Sequence, residues 1–120
     1  MKILLNSLLL FFVTFLSVNA LAQKLVTEHF EIIITSNCAE GEVTCNNVTY
    51  DGKNRKNGSS IHLKGKTLHS LCADGVTPCS FQGYAFTNGN IDYIVHENGL
   101  LEVVQNNSKV LINEKGEWQN

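Results

Sequence analysis

Two short cysteine-bounded segments constrain the fold of this chain more than any other feature. Residues 38–45 read CAEGEVTC, residues 72–79 read CADGVTPC, and together they hold all 4 cysteines of the 120-residue chain. An even number of cysteines in a small chain with an export signal is typical of a disulfide framework. We therefore expect a small domain in which covalent bridges supplement a core of limited size.

The number of cysteines does not fix their pairing, because four cysteines allow three arrangements. Each segment encloses a Gly-containing turn, which favours Cys38 with Cys45 and Cys72 with Cys79. Zinc binding is the competing interpretation. The C-x6-C spacing is wider than the usual zinc knuckle and an oxidising compartment favours bridges, so we expect two disulfides and no metal or other cofactor.

The first 22 residues have the features of a signal peptide. Lys2 precedes a mostly apolar run at residues 3–18, and Ala20-Leu21-Ala22 offers the small residues that signal peptidase accepts. We expect cleavage after Ala22, which leaves a single β-rich domain over residues 23–120. Polar residues interrupt the run, which is shorter than the roughly 20 apolar residues of a membrane span. We therefore expect no stable membrane anchor and a periplasmic or extracellular location.

The charge of the chain argues against two classes of partner. Its 9 basic and 11 acidic residues give a formal net charge of −2. Nucleic acids and anionic membranes are bound by clustered Lys and Arg, so neither is an expected partner. The densest basic group is Lys53, Arg55 and Lys56, in a Gly- and Asn-rich segment that we interpret as a hairpin tip.

The remainder of the chain has the pattern of an all-β protein. Residues 25–36 alternate between apolar and polar side chains, which predicts one half-buried strand with Ile32 and Ile34 facing the core. Short apolar segments follow, and they are separated by hairpin signals at Asp51-Gly52, Asn57-Gly58, Lys64-Gly65, Asn88-Gly89, Asn98-Gly99 and Asn106-Asn107. This spacing predicts a small antiparallel barrel or sandwich of about eight short strands joined by hairpins.

Two of these signals also predict how strands pair. A two-residue turn at Asn88-Gly89 places Phe86 opposite Ile91. A second such turn at Asn98-Gly99 continues the meander and leaves apolar side chains on both faces of the strand between the turns. Apolar residues on both faces are expected in a sheet that curls into a barrel or is covered by another sheet.

No combination of residues in the chain predicts catalysis. The histidines are isolated and lack metal-binding spacing, and no serine lies in a G-x-S-x-G elbow. Most carboxylates lie in the cysteine segments or near turns, where turn chemistry explains them. We expect that the protein is not an enzyme and has no catalytic residue. The four histidines are His29, His62, His69 and His96.

A small rigid β-domain of this kind is suited to binding another protein, because a preorganised loop loses little conformational entropy on association. The candidate surfaces are the tip with Lys53, Arg55 and Lys56, and the second cysteine segment with Asp74 and Val76. In size, export and predicted architecture, the chain resembles the periplasmic lysozyme inhibitors and secreted immunity proteins of bacteria. That resemblance implies an inhibitor or immunity protein against a cell-wall hydrolase. No segment matches the active-site-inserting motif of the inhibitors, so no residue role is carried over.

Two other functions remain as alternatives. A small-ligand or metal carrier requires an open barrel mouth with converging polar groups, or clustered histidines. A structural subunit of an exported assembly requires an unpaired strand edge, for which residues 25–36 and 109–113 are the candidates.

Overall fold

The computed structural model describes residues 21–119, and these residues form one antiparallel sheet of nine strands without a helix. The sheet curls into a nearly closed barrel, which confirms the predicted all-β class. The predicted signal peptide lies outside the described residues except for Leu21 and Ala22, which begin the first strand. The strands are Leu21–Val26 (β1), Phe30–Ser36 (β2), Val48–Asn54 (β3), Ser60–Leu71 (β4), Pro78–Asn88 (β5), Ile91–His96 (β6), Leu100–Gln105 (β7), Lys109–Lys115 (β8) and Glu117–Gln119 (β9).

The last segment of the described chain closes the sheet, because its two parts pair with two different strands. Strand β8 pairs with β7, and after Gly116 the chain continues as β9, which pairs with β1. A Cβ atom at Gly116 would lie 2.4 Å from the carbonyl oxygen of Val26, so glycine is needed for this close approach. Strands β8 and β9 are thus two parts of one bent strand, which agrees with the predicted number of about eight.

Inward-facing side chains fill the barrel with an apolar core. The ring centre of Tyr50 lies 5.3 Å from that of Phe86 and 5.4 Å from that of Tyr93, in the tilted geometry that aromatic pairs prefer. The buried aliphatic residues around these rings are Leu25, Ile32, Ile34, Val48, Leu63, Val95, Leu101 and Val103.

Two of the predicted turns are wrong, because Asp51-Gly52 and Lys64-Gly65 lie inside strands β3 and β4. A Cβ atom at Gly52 would lie 2.5 Å from the Tyr50 ring. A Cβ atom at Gly65 would lie 2.5 Å from the Phe86 ring and 2.0 Å from the carbonyl oxygen of Ala85. Both glycines therefore make room for aromatic packing and do not reverse the chain. The signals at Asn57-Gly58, Asn98-Gly99 and Asn106-Asn107 do lie in the connections between strands.

The turn after β5 begins one residue later than predicted. Its two central residues are Gly89 and Asn90, and Phe86 pairs with Tyr93 instead of Ile91. Gly89 has φ 62°. A glycine with positive φ at the first central position is typical of a type II′ turn, which matches the twist of the flanking strands.

The turn after β6 has three residues instead of two. Gly99, the third, has φ 96°, and its N–H donates to the carbonyl of His96 at 2.9 Å. The added residue places Ile94 opposite Glu102, where a two-residue turn would have placed it opposite Val103. The buried residues Val95, Leu101 and Val103 belong to the core, whereas Ile94 lies on the opposite face of β6 and is partly exposed. Apolar residues therefore lie on both faces of β6, although the strand pairing differs from the predicted one.

The single strand predicted at residues 25–36 is a hairpin, β1 and β2, with its turn at residues 27–29. The turn sequence carries no glycine, proline or asparagine signal. Instead, the hydroxyl oxygen of Thr27 accepts a hydrogen bond from the N–H of Phe30 at 3.0 Å. Because β2 lies between β1 and β3, residues 25–36 do not provide a sheet edge, whereas β8 does at residues 109–113.

Glu114 of β8 holds this first turn in place. Its carboxylate accepts hydrogen bonds from the Thr27 hydroxyl at 2.8 Å and the His29 backbone N–H at 3.1 Å, and it pairs with the His29 ring at 2.8 Å. Burial raises the pKa of Glu114, but the hydrogen bonds from His29 and Thr27 lower it by more than burial raises it. The pKa of Glu114 is therefore below its ordinary value of 4.5.

We expect Glu114→Gln to lower the free energy of unfolding by an amount that depends on pH. Because the pKa of Glu114 is lower in the folded than in the unfolded state, the carboxylate stabilises the fold above pH 4.5 and loses this effect as the pH falls through the folded value. Urea titrations between about pH 6 and pH 3 should show the difference from wild type shrinking on acidification. Glu117→Gln, at an exposed position, is the control, and a difference that does not change with pH would contradict this role.

Candidate functional site

The antiparallel meander sorts the connections into two ends of the barrel. The connections at residues 37–47, 72–77 and 97–99 lie at one end, which we call the disulfide end. The turns after β1, β3, β5 and β7 lie at the opposite end. The two candidate binding surfaces are therefore at opposite ends and do not form one site.

The first disulfide joins Cys38 and Cys45, as the spacing favours, with a Cα–Cα distance of 5.8 Å. Cys45 is buried, and its backbone is fastened to β4. Its N–H donates to the Thr67 hydroxyl at 2.9 Å, and its carbonyl accepts from the Thr67 N–H at 2.9 Å. This loop is therefore attached to the barrel wall as well as closed by its bridge.

The second disulfide joins Cys72 and Cys79, again as favoured, with a Cα–Cα distance of 5.1 Å. Within the loop, the Asp74 carboxylate accepts hydrogen bonds from the N–H groups of Val76 and Thr77, each at 2.9 Å, and from the Thr77 hydroxyl. The hydrogen bonds from Thr77 and Val76 lower the pKa of Asp74 to about 2. Asp74 thus shapes the loop, and Val76 is the largest apolar side chain that the loop presents to solvent.

At the predicted basic tip, one of the three cationic side chains is bound to the backbone of a neighbouring turn. The Arg55 guanidinium donates to the carbonyls of Thr27 at 2.7 Å and Glu28 at 3.2 Å, so it supports the neighbouring turn. Lys53 lies in β3 and Lys56 in the turn, both exposed. Of the three predicted residues, Arg55 has a structural role that its sequence context did not reveal.

Apolar side chains are exposed at the disulfide end. Val76 is 77% exposed, Val43 in the first loop is 72% exposed, and Leu71 at the end of β4 is 59% exposed. Isolated exposed apolar residues are ordinary, but a group at one end of a small protein is a feature of interaction surfaces.

Two of the pockets at the disulfide end share one wall, Phe81. The larger, of about 460 Å³, lies between the first disulfide loop and the β4–β5 hairpin and includes Val43 and Thr67 in its lining. Leu21 also lines it and would be removed by cleavage after Ala22. The smaller, of about 270 Å³, is lined by Gln23, Phe81, Tyr84, Glu97, Trp118 and Gln119, and we call it the aromatic pocket.

Sequence alternation did not identify the aromatic pocket, because Phe81 and Tyr84 are three residues apart and a regular strand would place them on opposite faces. The register of β5 shifts between them, so that Leu68 pairs with Gly83 and His69 with Phe81. The bulge brings the two rings together, with centres 5.2 Å apart. A positive φ of 143° at Gly83 accompanies it.

The histidines do not form a metal site within residues 21–119. Three of them pair with carboxylates on separate parts of the barrel, His29 with Glu114, His62 with Asp51 and His96 with Glu102. His69 donates to or accepts from the Thr67 hydroxyl, and its Nδ1 atom is buried without a hydrogen-bond partner among the described residues. No group of three or more His, Cys, Asp or Glu side chains in that part of the chain is arranged to hold a metal ion.

Comparison with protein-family models, with curated proteins and with solved structures found no match to this chain. In the described part of the chain, there is no helix of the length and apolar character needed to span a membrane.

We expect replacement of both Cys72 and Cys79 by serine to lower the free energy of unfolding by about 2–3 kcal/mol, because an eight-residue loop is no longer closed in the unfolded chain. Backbone amide exchange should rise most within residues 72–79, and in β7 by no more than the fall in global stability allows. The matched variant replaces Cys38 and Cys45, which close a loop of the same length. Unchanged stability and exchange in the first variant would contradict a bracing role for the bridge.

Proposed function

We propose that this is an exported, non-enzymatic binding protein that engages another protein through its disulfide end. The partner class that we propose is a cell-wall hydrolase, with the chain acting as an inhibitor or immunity protein. The single observation that carries the proposal is the position of Val76, which is 77% exposed on a loop held by a disulfide and by the Asp74 hydrogen bonds.

The rigidity of this loop supports a binding role. The bridge and the Asp74 carboxylate restrict the loop, and the Cys72 N–H donates to the Thr77 carbonyl at 2.8 Å. An apolar side chain held in one position loses little entropy when it enters a groove on a partner. Burial of a valine side chain contributes on the order of 1.5–3 kcal/mol, enough to make it an anchor of a small interface.

The two alternatives receive less support. A carrier of small ligands needs an open cavity, whereas aromatic and aliphatic side chains fill the barrel interior. The pocket at the barrel mouth, of about 270 Å³, is smaller than the roughly 300–1,000 Å³ of such sites. A subunit that adds strands at its edge needs a flat edge. The β8 edge carries Lys109, and the pairing of β7 with β8 is shifted between Val103 and Val104, so that Leu111 is an extra residue. Bulges and lysines at edges discourage strand addition.

Export to an oxidising compartment is part of this proposal. Both disulfides are intramolecular and no cysteine in the chain is free, which is compatible with such a location. The periplasm is the compartment that we propose, since a wall hydrolase acts there.

We expect the exported protein to recover a hydrolase at stoichiometric yield from an envelope extract supplemented with purified wall hydrolases, and to inhibit its activity. Val76→Asp should lower recovery and inhibition at least about tenfold, because it places a charge in an apolar contact. Lys56→Glu, at the opposite end, is the matched control and should leave both unchanged. Recovery of no hydrolase would contradict the proposed partner class, and equal recovery by both variants would contradict the proposed surface.

A further inference from the structure

The aromatic pocket has three ring-bearing walls. Phe81 and Tyr84 meet edge to face at an interplanar angle of 71°, and Trp118 of β9 completes the lining. The indole N–H of Trp118 donates to the Glu97 carbonyl at 2.8 Å, which fixes the orientation of the ring. Its volume of about 270 Å³ is large enough for one extended side chain of a partner.

Glu97 has the only charged side chain among the residues that line this pocket. Its backbone is fixed on both sides, because its N–H donates to the Gln82 carbonyl at 2.8 Å and its carbonyl accepts from Trp118. The pKa of Tyr84 is raised by burial, and the negative charge of Glu97 raises it as well. Glu97 forms no ion pair within residues 21–119.

An exposed carboxylate beside an aromatic pocket favours a cation. Aromatic faces attract cations, and the attraction grows when the cation is desolvated. Guanidinium is the better match of the two common cations, because it is planar, stacks on rings and donates two parallel hydrogen bonds to a carboxylate. The side-chain oxygens of Gln23 and Gln119 are further potential acceptors for its remaining N–H groups.

The surroundings of the pocket are acidic as well. Such a field attracts a basic partner surface and orients it during association. The three connections at the disulfide end contain four carboxylates and no Lys or Arg: Glu40, Glu42, Asp74 and Glu97.

We infer that the aromatic pocket receives an arginine side chain of the partner protein, stacked between the rings and paired with Glu97. This inference rests on the proposed function and assigns a second contact to the surface that carries Val76. Val76 supplies an apolar anchor, and the pocket selects partners that present an arginine beside the groove that Val76 enters.

Trp118 allows a direct test, because it is the only tryptophan in the chain. The full exported protein is titrated with the peptide acetyl-Gly-Arg-Gly-amide while Trp118 fluorescence is recorded. We expect a saturable change, with affinity about tenfold higher than for the same peptide with neutral citrulline in place of arginine. The titration is done at both pH 7 and pH 9. Arginine stays protonated at both values, whereas a new α-amino group at Gln23 loses most of its charge between them, so its effect on peptide binding is recognised.

Variants at two carboxylates provide the matched comparison. Glu97→Gln should weaken binding of the arginine peptide about tenfold, whereas Glu117→Gln, which is next to Trp118 in sequence but outside the pocket lining, should leave the affinity within about twofold. Equal binding of the arginine and citrulline peptides, equal or tighter binding of a lysine peptide, or no saturable change would overturn the inference. Preferential binding of a neutral N-acetylglucosamine oligomer would also overturn it.

The failure of this inference is distinguishable from the failure of the proposed function. If Glu97→Gln recovers the hydrolase as well as wild type while Val76→Asp does not, the arginine contact is wrong and the binding surface stands. If neither variant nor wild type recovers a hydrolase, but the peptide results hold, the pocket recognises an arginine of a different partner.

Discussion

The rest of this structure depends on how the last strand completes the sheet. Before Gly116 the strand pairs with β7, and after Gly116 it pairs with β1. Strands at both ends of the meander therefore gain backbone hydrogen bonds that an open sheet would lack. The same strand carries Glu114 to the first turn and Trp118 to the mouth of the barrel. Closure therefore positions groups at both ends of the molecule, although only a short run of residue pairs forms it.

Closure also explains why the bridges lie where they do. The tight turns at the opposite end need no covalent support, because backbone hydrogen bonds and side chains such as Asn54, Thr27 and Glu114 complete them. The two longer connections at the disulfide end lack strand partners, and ordering them costs conformational entropy. A disulfide across each one reduces that cost. Hydrogen bonds add to this restraint, from the Cys45 N–H to Thr67 in the first loop and from the Thr77 N–H to Asp74 in the second. The result is a rigid surface built from residues that belong to no strand ladder.

The cysteine spacing predicted both bridges correctly, and the density of turn residues predicted an antiparallel barrel of short strands. Sequence alone did not distinguish glycines that turn the chain from glycines that accommodate a ring. Gly52 and Gly65 each follow a polar residue, as the glycine of a hairpin turn does, yet each lies against an aromatic ring within a strand. It also missed the first turn, which a distant carboxylate holds. The aromatic pocket depends on a one-residue bulge beside Gly83, and alternation assumes that no such shift occurs.

The central claim is that the disulfide end, and not the basic tip at the opposite end, contacts the partner. The most direct measurement places a photoreactive amino acid at Ala73, three residues before Val76 in the second loop, and separately at Lys56, both exposed positions. Each exported variant is irradiated in the envelope of the producing cell, and its crosslinked products are identified by mass spectrometry. The account predicts one dominant product from position 73 and none from position 56. Products from position 56 alone would contradict it.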